Sequence, residues 1–341
     1  MKMLNKFTML LFWGAILGSC YELPVSDDFT FVRHKGTDMP VWVKGQTDAE
    51  VFLIYLHGGP GGSSFIDIQN QFFAEIEETY AVVYYDQRAS GNSLGQSDRS
   101  LLTLDQFVED LDVVVQFVQT QYSPKHIVLM GHSWGGTLGT AYLLDPGLQD
   151  KISGWIEVDG GHSLGQNAYQ YSRDYVLRVA DSLLQQQQDV DQWEKIKAYY
   201  DGLTSWRDTE VILDHSGFVT QAGGYFYDEA NREGLVGVNQ VLLSETDFLA
   251  LLAQNKQVVL HMDVWHYDFT EQLAQITIPT LLLWGQADGI LPVELAHEAQ
   301  AVLNLPPDQF YIFQESAHSP HYEQTELFNE KVIDFIREHI K

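Results

Sequence analysis

Mainly apolar segments alternate with amphipathic segments along most of this chain. The apolar segments lie at residues 51–56, 80–85, 126–130, 152–159, 280–284 and 309–313. Apolar runs of this length predict strands that are buried on both faces. After Thr103, a favoured helix N-cap residue, apolar positions recur every three or four residues and predict a helix. Alternating strands and helices predict an α/β fold, with a mostly parallel central sheet and helices on both faces.

Two parts of the chain depart from this alternation. Residues 27–45 contain short alternations of apolar and polar side chains, which are typical of antiparallel strands. Between residues 162 and 276 the alternation of strands and helices stops. Apolar positions at helical spacing predict a long, mainly helical insertion there. The insertion separates the strand at 152–159 from the strand at 280–284.

The N-terminus has the pattern of an export segment. Lys2 and Lys6 precede the apolar run 9–17, which is too short to span a bilayer as a mature helix. The sequence LGSC then ends at Cys20 and resembles the lipobox of bacterial lipoproteins. The alternatives are an ordinary signal peptide cut near Ser19 and an uncleaved anchor. Because Cys20 is the only cysteine, we expect an exported protein without disulfides. Lipid on Cys20 would anchor it to a bacterial membrane, in the periplasm or at the cell surface.

Length and charge narrow the possible partners. The 341 residues include 19 basic and 47 acidic side chains, for a formal net charge of -28 at pH 7. Nucleic acid is not an expected partner, because phosphate binding needs clusters of basic side chains. The length suits one enzyme-sized domain that carries an insertion.

The strand at 126–130 leads into the sequence GHSWGG, and a helical pattern follows it. Gly131, Ser133 and Gly135 match the G-x-S-x-G motif of a nucleophile elbow, a strained turn that holds the serine hydroxyl above the edge of a sheet. Such a turn leaves almost no space for a side chain two residues before or after the serine, and glycine meets that demand. The motif also occurs by chance in chains with many glycines. The strand before it and the helix after it therefore carry the prediction.

Two further motifs follow strands. HGGPGG at residues 57–62 comes directly after the strand at 51–56, and its glycines let backbone N–H groups approach a substrate oxyanion. A plain glycine turn is the alternative. DQRASGNS at residues 86–93 comes after the next strand. We predict that Asp86 and Arg88 tie this loop together through side-chain hydrogen bonds and do not contact the substrate.

In this order, HGGPGG, DQRASGNS and GHSWGG resemble the motifs of the proline iminopeptidase (prolyl aminopeptidase) family of α/β-hydrolases. One position departs from the family pattern, since Ala89 stands where that family usually has glycine. The resemblance implies an α/β-hydrolase fold with a helical cap inserted over the nucleophile. It also implies an aminopeptidase that acts on short peptides, with proline as the N-terminal residue.

The resemblance assigns parts of the chain to core and cap. We divide the chain into a lipoprotein signal peptide at 1–19, a hydrolase core at 20–160, a helical cap at 161–276 and the rest of the core at 277–341. Iminopeptidases hold the free amino group of the substrate with cap carboxylates, because burying an ammonium without a counter-charge is costly. The candidates here are Glu210, Asp228 and Glu229. For each of them, an ordinary surface acid is the alternative.

The last two strands are each followed by a further candidate. Asp288 lies in the loop after the strand at 280–284, where the acid of a catalytic triad belongs; a turn-capping role is the alternative. Two histidines follow the last strand. His318 matches the family's motif, whereas His321 is expected to pack or cap at the final helix. The order Ser133, Asp288, His318 is the chain order of an α/β-hydrolase triad.

Together these residues predict a serine hydrolase. His318 would take the proton of Ser133 as the hydroxyl attacks a carbonyl, and Asp288 would orient the imidazole. The backbone N–H groups of Gly59 and Trp134 would hold the oxyanion. This mechanism needs no cofactor or metal, and no cluster of residues has the spacing of metal ligands. The alternatives are an esterase or amidase for small acyl substrates, and a non-catalytic binding protein on the same fold.

Overall fold

The computed structural model describes residues 28–95, 98–228, 258–262 and 264–341. The strands in this part of the chain are β1 (Asp28–His34), β2 (Thr37–Gly45), β3 (Val51–Leu56), β4 (Ala81–Tyr85), β5 (His126–His132), β6 (Gly154–Val158), β7 (Thr280–Gly285) and β8 (Phe310–Phe313). They form one sheet in the order β1-β2-β4-β3-β5-β6-β7-β8. β2 pairs antiparallel with β1 and β4, and all other neighbours pair in parallel. The predicted α/β fold, with antiparallel strands at its start, is confirmed.

The helices in the described residues include α1 (Phe65–Asn70), α2 (Ala74–Glu77), α3 (Leu104–Tyr122), α4 (Trp134–Leu143), α5 (Pro146–Gln149), α6 (Gln166–Gln185), α7 (Val190–Gly202), α8 (Thr209–Gln221), α9 (Val293–Leu303), α10 (Pro320–Glu323) and α11 (Thr325–His339). Short 3₁₀ segments lie at Arg99–Leu101, Val264–His266, Glu271–Gln275 and Pro307–Gln309. Thr103 is the N-cap residue of α3, as predicted. Its hydroxyl accepts a hydrogen bond from the backbone N–H of Gln106 at 3.3 Å. Within the described residues, none of the helices has the length and apolar character needed to cross a membrane.

Helices cover both faces of the sheet. One face packs against α3 and α4, through side chains such as Leu111 and Leu138. The other face packs against α2 and α11, through Ile76, Phe328 and Val332. The central strands are apolar throughout because both of their faces are buried. Since β3 to β8 are parallel, their carboxyl ends share one edge of the sheet, and the loops that follow them meet there.

α6, α7 and α8 lie between β6 and β7, within the predicted insertion. The three helices pack on one another through an apolar cluster: Val176, Ala180, Trp193, Ile196, Tyr200 and Val219. Ile290, in the loop after β7, packs against the same cluster. The cap helices thus have a small core of their own and contact the loop that follows β7. The exact limits of the cap, 161 and 276, stay a prediction.

Arg88 ties the first strands to α3. Its buried guanidinium donates to both oxygens of Asp110, at 2.7 Å from Nε and 2.8 Å from Nη2. It also donates to the Thr37 hydroxyl at 2.7 Å. The backbone carbonyls of His34 and Lys35 accept two longer bonds, at 3.2 and 3.4 Å. These contacts confirm the predicted structural role of Arg88 in the loop after β4.

We expect Arg88→Met to lower the free energy of unfolding by about 3–5 kcal/mol, because the buried Asp110 carboxylate loses the guanidinium and, among the described residues, keeps only the Gln106 amide and the His34 imidazole as side-chain partners. Urea-induced unfolding of the variant and the wild-type protein measures the change. Arg33→Met is the matched control, since Arg33 pairs with Asp38 from a side chain that is 77% exposed and loses only a contact screened by water. An equal shift of the unfolding midpoint in both variants would contradict the role given to Arg88.

Candidate active site

Ser133 lies between β5 and α4, in the predicted turn. Its φ of 55° and ψ of -118° fall in a region that residues other than glycine rarely occupy. A Cβ atom at Gly131 would overlap the carbonyl oxygen of Gly135, and one at Gly135 would overlap the carbonyl oxygen of Leu56. The spacing of the two glycines therefore follows from close backbone contacts on both sides of the serine.

The structure brings Ser133, His318 and Asp288 together from three distant parts of the chain. Oγ of Ser133 lies 3.0 Å from Nε2 of His318, and Nδ1 of the same ring lies 2.8 Å from Oδ2 of Asp288. The aspartate and histidine side chains are both buried. When Nδ1 donates its proton to the carboxylate, Nε2 is left to accept the serine proton. This is the geometry that a general base needs to act on a serine nucleophile.

The carboxylate of Asp288 is also held by the backbone. Its Oδ1 accepts hydrogen bonds from the N–H groups of Ile290, at 2.8 Å, and Leu291, at 2.9 Å. One oxygen therefore faces His318 while the other caps the turn before α9. Asp288 thus has both roles that its sequence position allows, as an acid beside the histidine and as a turn-capping residue. The two backbone hydrogen bonds fix the orientation of the oxygen that faces the histidine.

His321 is close to His318 in the chain but has a different environment. Its ring packs against Tyr322, at 4.0 Å between centroids, and against His132, at 4.6 Å. Neither ring nitrogen has a hydrogen-bond partner among the described residues. Burial first, and then the proximity of His132 and His318, lower the pKa of His321 well below its usual value. His321 is therefore a neutral packing residue, as predicted.

Gly59 and Trp134 border the cavity at Ser133 from two different segments of the chain. Trp134 is the first residue of α4, and N–H groups in the first turn of a helix have no partner within the helix. Gly59 lies in the glycine loop that follows β3. These are positions from which two backbone N–H groups could reach an oxyanion formed at Ser133.

Gln87 connects the glycine loop to the start of α4. Its backbone N–H donates to Nε2 of His57 at 3.0 Å, and its side-chain amide donates to the His57 carbonyl at 2.9 Å. Its side-chain oxygen accepts from the indole N–H of Trp134 at 2.9 Å. The neighbouring Asp86 accepts the predicted loop bonds, which come from Ser63, Ser64 and Asn92. Gln87 is not recognisable as a site residue in the sequence, because a glutamine in a polar loop has no distinguishing signal.

Ser133 lines a cavity of about 450 Å³ between the sheet edge and the insertion. The lining is largely apolar and aromatic, and the insertion contributes Leu164, Tyr169, Trp206, Ile212, Tyr225 and Trp265. A cavity of this size holds a small molecule or the end of a short chain. The insertion therefore forms part of the wall around the serine.

One exposed cluster in the described part of the chain has the spacing of metal ligands. The ligand atoms of Asp308, Glu338 and His339 lie within 4.8 Å of one another. None of these residues lines the cavity of Ser133, and exposed acidic groups often cluster without an ion. This cluster takes no part in the chemistry at Ser133.

Two of the three acids predicted to bind a substrate amine, Glu210 and Asp228, do not lie at Ser133 in the described structure. Glu210 and Asp228 are exposed, and neither lines the cavity. In the described structure neither carboxylate lies where it would supply the counter-charge of an ammonium at Ser133, and the amine-binding role of these two residues stays a prediction. Glu229 lies outside the described residues. Cys20, the predicted lipid attachment site, also lies outside them.

Glu323, which no sequence motif singles out, links the insertion to the loop of His318. One carboxylate oxygen accepts from the N–H of Tyr227 at 2.7 Å, and the other accepts from the N–H of Ala317 at 2.7 Å. The backbone N–H of His318 itself donates to the carbonyl of Tyr225 at 3.3 Å. A single glutamate in a short helix has no sequence signature. Its role arises only where the two segments meet.

Similarity to known proteins extends over most of the chain. A family model described as alpha/beta hydrolase fold matches residues 51–325. Over 314 residues the chain is 24% identical to the probable aminopeptidase YbaC of Bacillus subtilis, covering 89% of this chain and 94% of that protein. Over 317 residues it is 32% identical to a 2-hydroxy-6-oxononadienedioate/2-hydroxy-6-oxononatrienedioate hydrolase of Cupriavidus pinatubonensis, covering 90% and 94%. The solved structure of a proline iminopeptidase-related protein from Thermus thermophilus superposes with a TM-score of 0.66 at 20% identity, over 92% of this chain and 98% of that one.

Proposed function

Because this chain belongs to the alpha/beta hydrolase fold family, we propose that it is a serine hydrolase that works through an acyl-enzyme on Ser133. The observation that carries the proposal is the hydrogen-bonded series from Asp288 through His318 to Ser133. In that series, the histidine is oriented by a carboxylate on one side and contacts a strained serine on the other. These are the parts that covalent acyl transfer requires.

In the proposed reaction, His318 takes the hydroxyl proton as Oγ of Ser133 attacks the substrate carbonyl, and then gives the proton to the leaving group. Asp288 stabilises the positive imidazolium that forms between these steps. The N–H groups of Gly59 and Trp134 donate hydrogen bonds to the oxygen on which negative charge develops. Losing one such donor costs about 3 kcal/mol of transition-state stabilisation. Water then attacks the acyl-enzyme with His318 as base, which releases the acid and restores the serine.

We further propose that the enzyme is an aminopeptidase that releases N-terminal residues, proline among them, from short peptides. The three motifs and the similarity to a probable aminopeptidase and to a proline iminopeptidase-related protein support this substrate class. The cavity is large enough for the end of a short chain. A hydrolase of small esters or amides is the second candidate, and the largely apolar lining favours it.

Hydrolysis of proline and alanine p-nitroanilides, each with a free and with an acetylated amino group, tests the aminopeptidase proposal. The esters p-nitrophenyl acetate and butyrate are measured beside them, with Ser133→Ala protein as the blank. We expect cleavage of the free-amine compounds, and a loss of about 100-fold in kcat/KM on acetylation, because the acetylated nitrogen has no charge to pair. Cleavage of the esters alone would contradict this proposal and favour the second candidate.

We also propose that the mature protein is exported and anchored to a membrane by lipid on Cys20. The support is the sequence pattern of residues 1–20, in which lysines and a short apolar run precede the sequence LGSC. Anchored in this way, the enzyme would meet its substrates in the periplasm or at the cell surface.

A further inference from the structure

A carboxyl group that the proposed mechanism does not use lies in the wall of the same cavity. Asp67 belongs to α1, which follows the glycine loop, and it lines the cavity together with Ser133 and His318. It is 1% exposed, and its Oδ1 has no hydrogen-bond partner among the described residues. Buried carboxyl groups are normally paired or fully hydrogen-bonded, because an uncompensated buried charge is costly.

Two other buried aspartates have clear structural partners. Asp110 receives two hydrogen bonds from the guanidinium of Arg88. Asp86 receives backbone N–H bonds from Ser64, at 2.8 Å, and Asn92, at 2.7 Å. Among the described residues, Oδ1 of Asp67 has neither kind of partner. Oδ2 of Asp159 also lacks a partner there, but Asp159 does not line the cavity, whereas Asp67 does. The position of Asp67 in the cavity wall therefore makes its Oδ1 available to a group that enters the cavity.

The described groups around Asp67 are polar but carry no positive charge. The phenol groups of Tyr55, on β3, and Tyr322, on α10, hydrogen-bond its carboxyl group. Nε2 of His321 lies 3.7 Å from Oδ1, beyond hydrogen-bond reach, and burial keeps that imidazole neutral. The negative charge of Asp86 also acts on Asp67. Burial raises the pKa of Asp67 to about 8, so with no cation beside it this carboxyl group is mostly protonated at pH 7.

We propose that Asp67 binds the free amino group of the substrate. The ligand class is an organic ammonium, namely the protonated α-amino or imino nitrogen of an N-terminal residue, and the inference rests on the proposed aminopeptidase function. An ammonium beside Oδ1 stabilises the ionised form of the carboxyl group. The carboxyl proton then leaves to water and a buried ion pair forms, with Tyr55 and Tyr322 still donating to the carboxylate.

Covalent geometry supports an amine site in this cavity. In an aminoacyl substrate the amino nitrogen is two bonds from the carbonyl carbon that Ser133 attacks, a distance of about 2.5 Å. Its carboxylate partner must therefore line the cavity that contains the serine. Asp67 meets this condition, whereas Glu210 and Asp228 are exposed outside the cavity.

The test is Asp67→Asn, which keeps the size and hydrogen-bonding capacity of the protonated acid but cannot carry a negative charge. kcat and KM are measured for proline p-nitroanilide and for p-nitrophenyl butyrate. We expect the ratio of the two kcat/KM values, amine to ester, to fall about 100-fold, mainly through a higher KM for the free-amine substrate. Thermal unfolding checks that the variant is folded. An unchanged ratio, including one that results from equal losses on both substrates, would overturn the proposal.

The acids of the insertion are the competing sites, and they provide matched carboxylate-to-amide controls. We expect Glu210→Gln, Asp228→Asn and Glu229→Gln to keep the amine-to-ester ratio of the wild-type enzyme. A selective loss of amine turnover in one of these variants, with a normal ratio in Asp67→Asn, would assign the amine site to the insertion and overturn the assignment to Asp67.

An inhibition experiment separates this proposal from the aminopeptidase proposal. If the wild-type enzyme cleaves esters only, pyrrolidinium chloride, a cyclic ammonium with no acyl group, should still inhibit butyrate ester hydrolysis competitively. Cyclopentanol is a neutral ring of similar size. Its inhibition constant should be at least about tenfold higher, because it cannot form a buried ion pair with Asp67. Asp67→Asn should abolish the difference. Equal inhibition of the wild-type enzyme by the two rings would overturn the Asp67 site, whatever the natural substrate is.

Discussion

Ser133→Ala is expected to lower kcat by about 10⁴ to 10⁶-fold on every substrate, because no acyl-enzyme forms without the hydroxyl. His318 keeps its bond to Asp288 in this variant, so the loss reports the nucleophile alone. The remaining activity comes from the oxyanion donors and from substrate binding. Steady-state kinetics measures the loss. A fluorophosphonate probe, located by mass spectrometry, should label Ser133 in the wild-type enzyme and leave the variant unlabelled.

Ser172 provides the matched control, because it is also a buried serine that lines the cavity beside a histidine. Its hydroxyl lies 2.8 Å from Nε2 of His215, but Nδ1 of that ring contacts the phenol of Tyr200 at 2.7 Å and has no carboxylate behind it. Ser172 also lies inside α6, and its hydroxyl donates a hydrogen bond to the backbone carbonyl of Gly289. We expect Ser172→Ala to lose less than about tenfold in kcat. A label that persists in Ser133→Ala would contradict the assigned nucleophile, and a wild-type protein that takes no label would favour a non-catalytic binding protein.

Asp288→Asn is expected to lower kcat about 10⁴-fold with little change in KM. The amide oxygen of asparagine can still accept the N–H groups of Ile290 and Leu291. Its NH₂ group then faces Nδ1 of His318 and donates to it, which places the imidazole proton on Nε2. A ring protonated at Nε2 cannot accept the proton of Ser133. Measurement of kcat and KM separately distinguishes this loss from a defect in substrate binding.

Asp159 is the matched control for this substitution, since it is a second buried aspartate beside Asp288, directly after β6. Its Oδ1 accepts the backbone N–H of Gly285 at 2.8 Å. Burial first, and then the charge of Asp288, raise the pKa of Asp159 well above its usual value. Because this acid holds its proton to a higher pH than an ordinary aspartate, Asp159→Asn replaces one neutral group by another, and we expect it to cost less than about tenfold in kcat. An equal loss in the two variants would contradict a loss that is specific to Asp288.

The positions of Ser133, Asp288 and His318 are predictable from the sequence because each residue follows a strand that is recognisable by its local pattern. In a parallel sheet the carboxyl ends of the strands share one edge, so residues in the loops after β5, β7 and β8 come together without further information. The elbow glycines add a second local signal, since the turn around the serine excludes side chains at fixed offsets.

Gln87, Glu323 and Asp67 could not be found in this way. Each is a common polar residue in a loop or a short helix, and its partners lie elsewhere in the chain. Gln87 contacts His57 and Trp134, and Glu323 joins the insertion to the loop of His318. No periodicity or motif connects such residues, because the contacts form only after the sheet edge and the insertion have packed.

The order of the strands and helices, the turn around Ser133 and the chain order of Ser133, Asp288 and His318 follow from local patterns of apolar side chains and glycine, so they are readable in the amino-acid sequence. The burial of an acid in the cavity is not: Asp67 is buried there, whereas Glu210 and Asp228 are exposed. The difference arises from solvation. Whether a carboxyl group keeps its water, and hence its charge, depends on segments that are distant in the chain, as Tyr55 and Tyr322 are from Asp67.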